Sequence, residues 1–341
     1  MKLGAMKEPW VRKGTAQRIA PLNHEGVRSI AIIKHAALGD LVHTRPLIVC
    51  LRKYFPNARI TFSASENATN GVPFDLVDHV HITRKRHGIQ DSYRSMKELG
   101  KHDILFDLTQ SGRSHWLTLM TSATLKIGYK HKGLERFVYD VAIARSEFRF
   151  EAETYLEQLN VLGLPFDVPP NYGYQAIPSP LEKPYIVYFP TASLESKSWP
   201  KDKFIELINH ACIQYPEYQH VLLSGLADWE KTVSEAIFTA LTHHKQLMLF
   251  DGGEHTEALL ANAHCLIAND TGIRNLAIAR GTPTLGIFVP NLLMGYLPKF
   301  GTHEATYDHD NGMPQTGQAI TAFDQLMARI NTSRQPINQA I

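Results

Sequence analysis

Three short segments place chemistry-bearing side chains beside backbone turns. In the first, residues 36–44 (AALGDLVHT), Gly39 permits a tight turn off a strand and Asp40 follows at the head of a helix. The Asp40 carboxylate is either placed to face a cleft or serves as the ordinary N-cap of that helix, a role in which Asp is common. The second segment, residues 189–200 (FPTASLESKSWP), joins a strand end to small hydroxyl side chains, Lys197, and a Trp199–Pro200 pair that starts the next helix. Hydroxyls, free backbone N–H groups and an ammonium at one strand end make a phosphate cradle; the alternative is a polar loop in which Lys197 is simply solvated. In the third, residues 268–283 (ANDTGIRNLAIARGTP), Asp270, Thr271 and Gly272 open a helix directly after a strand. That helix start offers unpaired N–H groups and a positive dipole end to an anion, unless Asp270 or Thr271 is only its cap.

Other chemistries find little support. The dinucleotide fingerprint GxGxxG is absent, because Gly39 is the one glycine of the first turn, so a nicotinamide cofactor is disfavoured. The 17 histidines include no HExxH or similar spacing that would set two ligands on one helix face, and His243 with His244 reads as a solvated helix end. Cys50, Cys212 and Cys265 lie far apart in apolar stretches with no CxxC pair, the pattern of reduced, buried thiols. No metal and no cofactor are expected.

The elements that must position the three segments follow from periodicity. SIAII (29–33) is a short apolar, β-branched run, the pattern of a strand buried on both faces of a parallel sheet. LVHTRPLIVCLRKYF then reads as one helix and ARITFSAS as the next strand, a βαβ unit. DLVDHVHI and DILFDLT repeat the strand signal, with RSHWLTLMTSAT as a helix before a short strand LKIGY. After a proline-rich connection the pattern restarts: YIVYF, HVLLSG, CLIAND and PTLGIF as strands, with KFIELINHACIQY, WEKTVSEAIFTAL and IRNLAIARG as helices, the last closed by Gly281. The expected fold class is α/β, with two Rossmann-like domains of parallel strands facing each other and a ligand at the strand C-terminal ends. The boundaries are an N-terminal extension over 1–28, a first domain over 29–165, a linker over 166–183 and a second domain over 184–341. The final helix, QAITAFDQLMARI, is expected to pack back on the first domain.

With 341 residues, 44% of them hydrophobic, the chain can bury two cores of ordinary size. Its 35 basic and 33 acidic residues give a net charge of +2, so no global field holds it on nucleic acid or an anionic membrane, and no nucleic-acid partner is expected. No apolar run approaches the ~20 residues that span a bilayer, and residues 1–28 contain no hydrophobic signal core, which points to the cytoplasm.

In their order the three segments resemble glycosyltransferase family 9, the ADP-heptose:lipopolysaccharide heptosyltransferases. SIAIIKHAALGDLVHTRP matches the family's opening strand and S-x-GD-hydrophobic-hydrophobic-HT-x-P segment. FPTASLESKSWP is similar to HPGAS-x-x-x-K-x-WP, and LLANAHCLIANDTGIRNLAIARGTP to LL-x-x-A followed by NDTG or NDSG, a helix and GTP. DILFDLTQSGRS, LKIGY and ETYLEQLNVLGLP are weaker echoes, so the likeness spans about residues 29–290. Two positions depart from it: Asn275 and Phe150 stand where members commonly carry a His.

The resemblance implies the two-domain GT-B fold and inverting transfer of a heptose from ADP-heptose to the lipopolysaccharide inner core, either Kdo-lipid A or a heptosyl acceptor. It implies Asp40 as general base, and Lys197, Ser193 and the N–H groups of Thr271 and Gly272 holding the diphosphate in place of a divalent metal. Asp270 and Asn275 complete the nucleotide-sugar set. Lys34 and Arg45 flank the base, either binding an anionic acceptor or standing as solvated charges. The basic run ITRKRHG (82–88) would dock the enzyme peripherally on the cytoplasmic face of the inner membrane, or is only a solvated loop. The alternatives are a GT-B transferase for another nucleotide-sugar or acceptor, and a non-catalytic nucleotide-sugar-binding homologue.

Overall fold

A computed structural model describes residues 8–334 apart from 20–21, 23–24, 84–92, 95–96, 242, 290–293 and 311. The chain divides into two compact units between Gly173 and Tyr174.

The first unit is a seven-stranded sheet in the order β1-β7-β6-β5-β2-β3-β4. The strands are β1 (Trp10–Val11), β2 (Ser29–Ile33), β3 (Arg59–Ser65), β4 (His79–Thr83), β5 (Lys101–Asp107), β6 (Ser122–Tyr129) and β7 (Val141–Ile143). All neighbours are parallel except β1 and β7. Ile30, Ile32, Phe62 and Phe106 are fully buried beneath covering helices, as a parallel sheet requires. Part of the N-terminal extension thus belongs to this unit: β1 adds an antiparallel edge, and Arg12 and Arg18 pair with the buried Asp140.

Three readings of this half are corrected. LVHTRPLIVCLRKYF is two helices, α1 (Leu38–Val42) and α2 (Arg45–Tyr54), because Pro46 sits in the first turn of α2 and Thr44 folds its hydroxyl back onto the Leu41 carbonyl at 2.6 Å. DLVDHVHI is strand over β4 alone; Asp78 ahead of it binds the Ile60 N–H and Arg52 instead. The helix after β5, α3 (Gly112–Met120), ends early, and Ser122 already pairs with Lys101 in the sheet. A one-turn helix α4 (Glu135–Val138) and a short α5 (Glu151–Leu156) follow β6 and β7.

The second unit is a wholly parallel six-stranded sheet ordered β10-β9-β8-β11-β12-β13. Its strands are β8 (Tyr185–Phe189), β9 (Gln219–Leu223), β10 (Leu247–Phe250), β11 (Cys265–Asn269), β12 (Thr284–Ile287) and β13 (His303–Thr306). Its helices are α6 (Lys201–Gln214), α7 (Asp228–Ala240), α8 (Thr256–Asn262), α9 (Gly272–Ala279) and α10 (Thr316–Arg334). The final helix does not leave this unit: Ala319, Phe323, Leu326, Met327 and Ile330 of α10 are buried in the same cluster as Phe204, Ile267 and Ile287, which corrects the expected packing on the first domain. Cys212 and Cys265 are buried thiols outside any disulfide, while Cys50 is only half-buried.

Both sheets reverse strand order once. In the first unit the chain runs outward from β2 to β4, then returns to β5 on the other side; in the second it runs from β8 to β10 and returns to β11. Crevices outside the carboxyl ends of the strands at such reversals are where open α/β sheets bind ligands. The first segment follows β2, and the second and third follow β8 and β11, so all three lie at reversal points.

Candidate active site

In the first unit the loop 34–37 leads from β2 into α1. The N-cap of α1 is Ala37, with no side-chain cap bond, and Asp40 is half-buried in the first turn. The capping alternative is therefore not what its position shows, and the carboxylate sits at the positive end of the helix.

Beside it Lys34 is no solvated charge. It is 5% exposed, with Nζ 3.7 Å from Glu151 Oε1, 3.4 Å from the Leu108 carbonyl and 4.7 Å above the Tyr155 ring. Burial pulls its pKa below the usual lysine value, and the carboxylates of Asp40 and Glu151 oppose that shift. Glu151 also accepts from Arg145 and the Tyr155 hydroxyl. Arg45 is likewise buried, but its two terminal nitrogens grip the Asp75 carboxylate at 2.7 Å and its Nε donates to the Tyr172 carbonyl at 2.9 Å. Those donors are filled from within the unit, so Arg45 is not the solvated charge of the alternative reading, and the same three donors are not open to an anionic acceptor. Phe150 is buried with its ring edge-on to His43 at 4.8 Å. Of the basic run 82–88, residues 84–88 lie outside the described residues.

In the second unit the two predicted loops are neighbours, because β8 and β11 are hydrogen-bonded partners. A residue not assigned from the sequence ties them: buried Asn269 accepts the Trp199 N–H on Oδ1 at 2.9 Å and donates from Nδ2 to the Pro190 carbonyl at 2.8 Å. Its only signal was its place in the NDTG motif. Within the loop, Ser198 Oγ accepts the Ala192 N–H, and Thr191 donates to Glu230 at the start of α7. Ser193 and Lys197 project from this pinned loop into solvent.

Thr271 is the N-cap of α9, its hydroxyl accepting the Arg274 N–H at 3.3 Å. The N–H groups of Gly272 and Ile273, in the first turn, have no helical partner by construction. Asp270 lies 3.7 Å from the guanidinium of Arg274, a second residue that sequence reasoning missed. Arg274 is fully buried, donates from Nη1 to the Tyr296 carbonyl and stacks 5.1 Å over Phe288, and desolvation pushes its pKa down to about 10. Gly286 makes room for it, since a Cβ there would stand 2.5 Å from Arg274 Nε. Asn275 is 4% exposed, with its Oδ1 unpartnered among the described residues.

Among the described residues no helix is long and apolar enough to cross a membrane.

Two mainly parallel α/β units, each with a strand-order reversal beside its candidate residues, give a fold of the GT-B type. The sequence model of glycosyltransferase family 9 (heptosyltransferase) matches residues 92–292, and the chain belongs to that family. Lipopolysaccharide core heptosyltransferase OpsX of Haemophilus influenzae is 21% identical over 289 residues, covering 79% of this chain and 81% of the relative. A glycosyl transferase family 9 structure from Veillonella parvula superposes with a TM-score of 0.73 at 19% identity over 90% of this chain and 98% of the other. Escherichia coli heptosyltransferase WaaC with ADP-2-deoxy-2-fluoro heptose superposes at 0.72 with 16% identity, over 88% and 99% of the two chains.

Proposed function

We propose that the protein transfers a heptose from ADP-heptose to a lipopolysaccharide inner-core acceptor, Kdo-lipid A or its heptosylated form, with inversion at the anomeric carbon. The observation that carries the reading is the Asn269 bridge, which sets the Ser193–Lys197 loop beside the start of α9 at the reversal point of the second sheet. A diphosphate placed there meets the Lys197 ammonium, the Ser193 hydroxyl and the N–H groups at Thr271 and Gly272, which stabilise the charge that grows on the leaving group without a divalent metal. Asp270, paired with Arg274, and Asn275, with its unfilled amide oxygen, complete the donor site. Support from relatives comes from the OpsX likeness and from the WaaC complex with an ADP-heptose analogue.

Asp40 takes the proton of the acceptor hydroxyl as it attacks the anomeric carbon, with the buried Lys34 ammonium interacting with its carboxylate. Asn275, where relatives commonly have a His, also supports a second reading: the same fold and chemistry with another nucleotide-sugar.

Thermal shift against ADP-, GDP- and UDP-sugars, with and without a chelator, tests the assignment, because a ligand that binds the native state raises its stability. Stabilisation by ADP-sugars that survives chelation is expected. Selective stabilisation by a GDP- or UDP-sugar would move the chain to the second reading, and loss on chelation would remove the metal-free claim.

A further inference from the structure

The helix α3 is built inside out. It buries Ser114, His115 and Thr118 along with Leu117, and it exposes Trp116, Leu119 and Met120. A surface helix ordinarily turns its apolar stripe to the core. Here two of the inward polar groups are bonded from within, Thr118 donating to the buried Asp107 at 3.2 Å and Ser114 completing the N-terminal capping box with Ser111, while the His115 ring packs edge-on against Tyr139. The outward face is left apolar, with Trp116 62% exposed.

The short helix α4 packs against α3 and repeats the pattern, exposing Leu134 and Phe137, the latter to 66%. Exposed apolar side chains grouped on neighbouring elements mark a surface that something covers. The charge around them says what. Residues 112–137 hold five Lys or Arg against one carboxylate, Glu135, a net +4 in a chain whose total is +2. Arg113, Lys132 and Arg136 of this group are exposed beside the apolar residues. A second copy of the chain would set this positive patch against itself. A bilayer bearing anionic headgroups takes both features, with aromatic and aliphatic groups entering the interface and cations remaining at headgroup level.

We propose that α3 and α4 form a docking surface for an anionic lipid bilayer, with Trp116 and Phe137 as the inserted anchors and Arg113, Lys132 and Arg136 as the headgroup contacts. The surface stands on its own exposure and charge, independent of the donor and acceptor assigned above. It is also distinct from the run at 82–88.

The test is co-sedimentation of the full chain with vesicles of phosphatidylcholine alone or mixed with phosphatidylglycerol, carrying no saccharide acceptor. Binding to the mixed vesicles only, weakening as salt is added, is expected. Trp116→Ser combined with Phe137→Ser should lower the bound fraction at least about tenfold, as should Arg113→Glu with Lys132→Glu and Arg136→Glu. All five side chains are exposed, so circular dichroism and melting should match the wild type. A wild-type chain that stays in the supernatant overturns the proposal, as do variants that bind like the wild type. A wild-type dimer that the Trp116/Phe137 variant converts to monomer, without vesicle binding, would assign the face to a second copy. Because the vesicles hold no acceptor, failure here leaves heptosyl transfer untouched, and failure of transfer leaves docking untouched.

Discussion

Replacing Asn269 by Ala tests the bridge between the two donor loops. The side chain is fully buried and makes two bonds, accepting the Trp199 N–H and donating to the Pro190 carbonyl. Trp199 is 1% exposed, so the N–H left behind has no route to bulk water. Orphaning a buried donor or acceptor costs about 1–3 kcal/mol each, so the two together predict a loss of about 2–6 kcal/mol, toward the low end if a water enters the space. That is a large share of the stability of a domain this size. The consequence for function is separate: with the loop no longer tied to β11, Ser193 and Lys197 lose their fixed placement beside α9, and ADP affinity should fall about tenfold or more. Asn269→Asp keeps the acceptor for Trp199 but turns a second acceptor on the Pro190 carbonyl, so it should not rescue. Urea denaturation gives the stability and titration calorimetry with ADP the affinity. If Asn269→Ala unfolds at the wild-type midpoint and binds ADP with wild-type affinity, the loops are held by other contacts and the reasoning is wrong.

Other expectations follow from the same geometry. Lys197 is exposed, so Lys197→Ala should shift stability by no more than ~0.5 kcal/mol while weakening ADP binding by about ten- to a hundredfold; undiminished affinity would remove it from the phosphate site. Because the cap of α1 is Ala37, Asp40→Asn should forfeit the helix-end interaction of ~0.3–1 kcal/mol and the attraction to the buried Lys34, yet lower turnover ~10²- to 10⁴-fold with donor affinity intact, and a variant near the wild-type rate would place the base elsewhere. Burial, aided by Arg274 and Arg329, pushes the His303 pKa down to about 3. The unfolded ring takes its proton near pH 6.5 and the folded ring does not, so this contribution is full above about pH 6.5 and is lost as the pH falls toward 3. On acidification from pH 7 to about 4.5, His303→Gln should lose less melting temperature than the wild type, and equal losses would contradict the assignment.

The sequence revealed strands better than helices and loops better than their internal ties. SIAII and YIVYF coincide with β2 and β8 because a strand buried on both faces leaves an uninterrupted apolar run. The break between α1 and α2 was hidden because the apolar spacing continues across His43 and Thr44, although Pro46 marked it. The place of α10 was illegible, since its apolar face fits any complementary core and periodicity does not say which. At the candidate site, the turns that hold Gly39–Asp40, Ser193–Lys197 and Asp270–Gly272 could be located because turns after strands need particular residue types. Arg274 was not, because a cation in an apolar helix reads as an exposed one until Phe288, Gly286 and the Tyr296 carbonyl are seen around it. The burial of Lys34 and the filled guanidinium of Arg45 depend on Glu151, Asp75 and Tyr172, all distant in sequence.

The central claim is heptosyl transfer from ADP-heptose, and the most direct measurement is mass spectrometry of a Kdo-lipid A acceptor and its heptosylated form incubated with the purified chain and ADP-heptose. The account predicts that one of the two acceptors gains a single heptosyl unit with stoichiometric release of ADP, and that Asp40→Asn binds ADP but forms product at least about a hundredfold more slowly. Unchanged acceptors under conditions where the same chain transfers a different sugar from another nucleotide would contradict it.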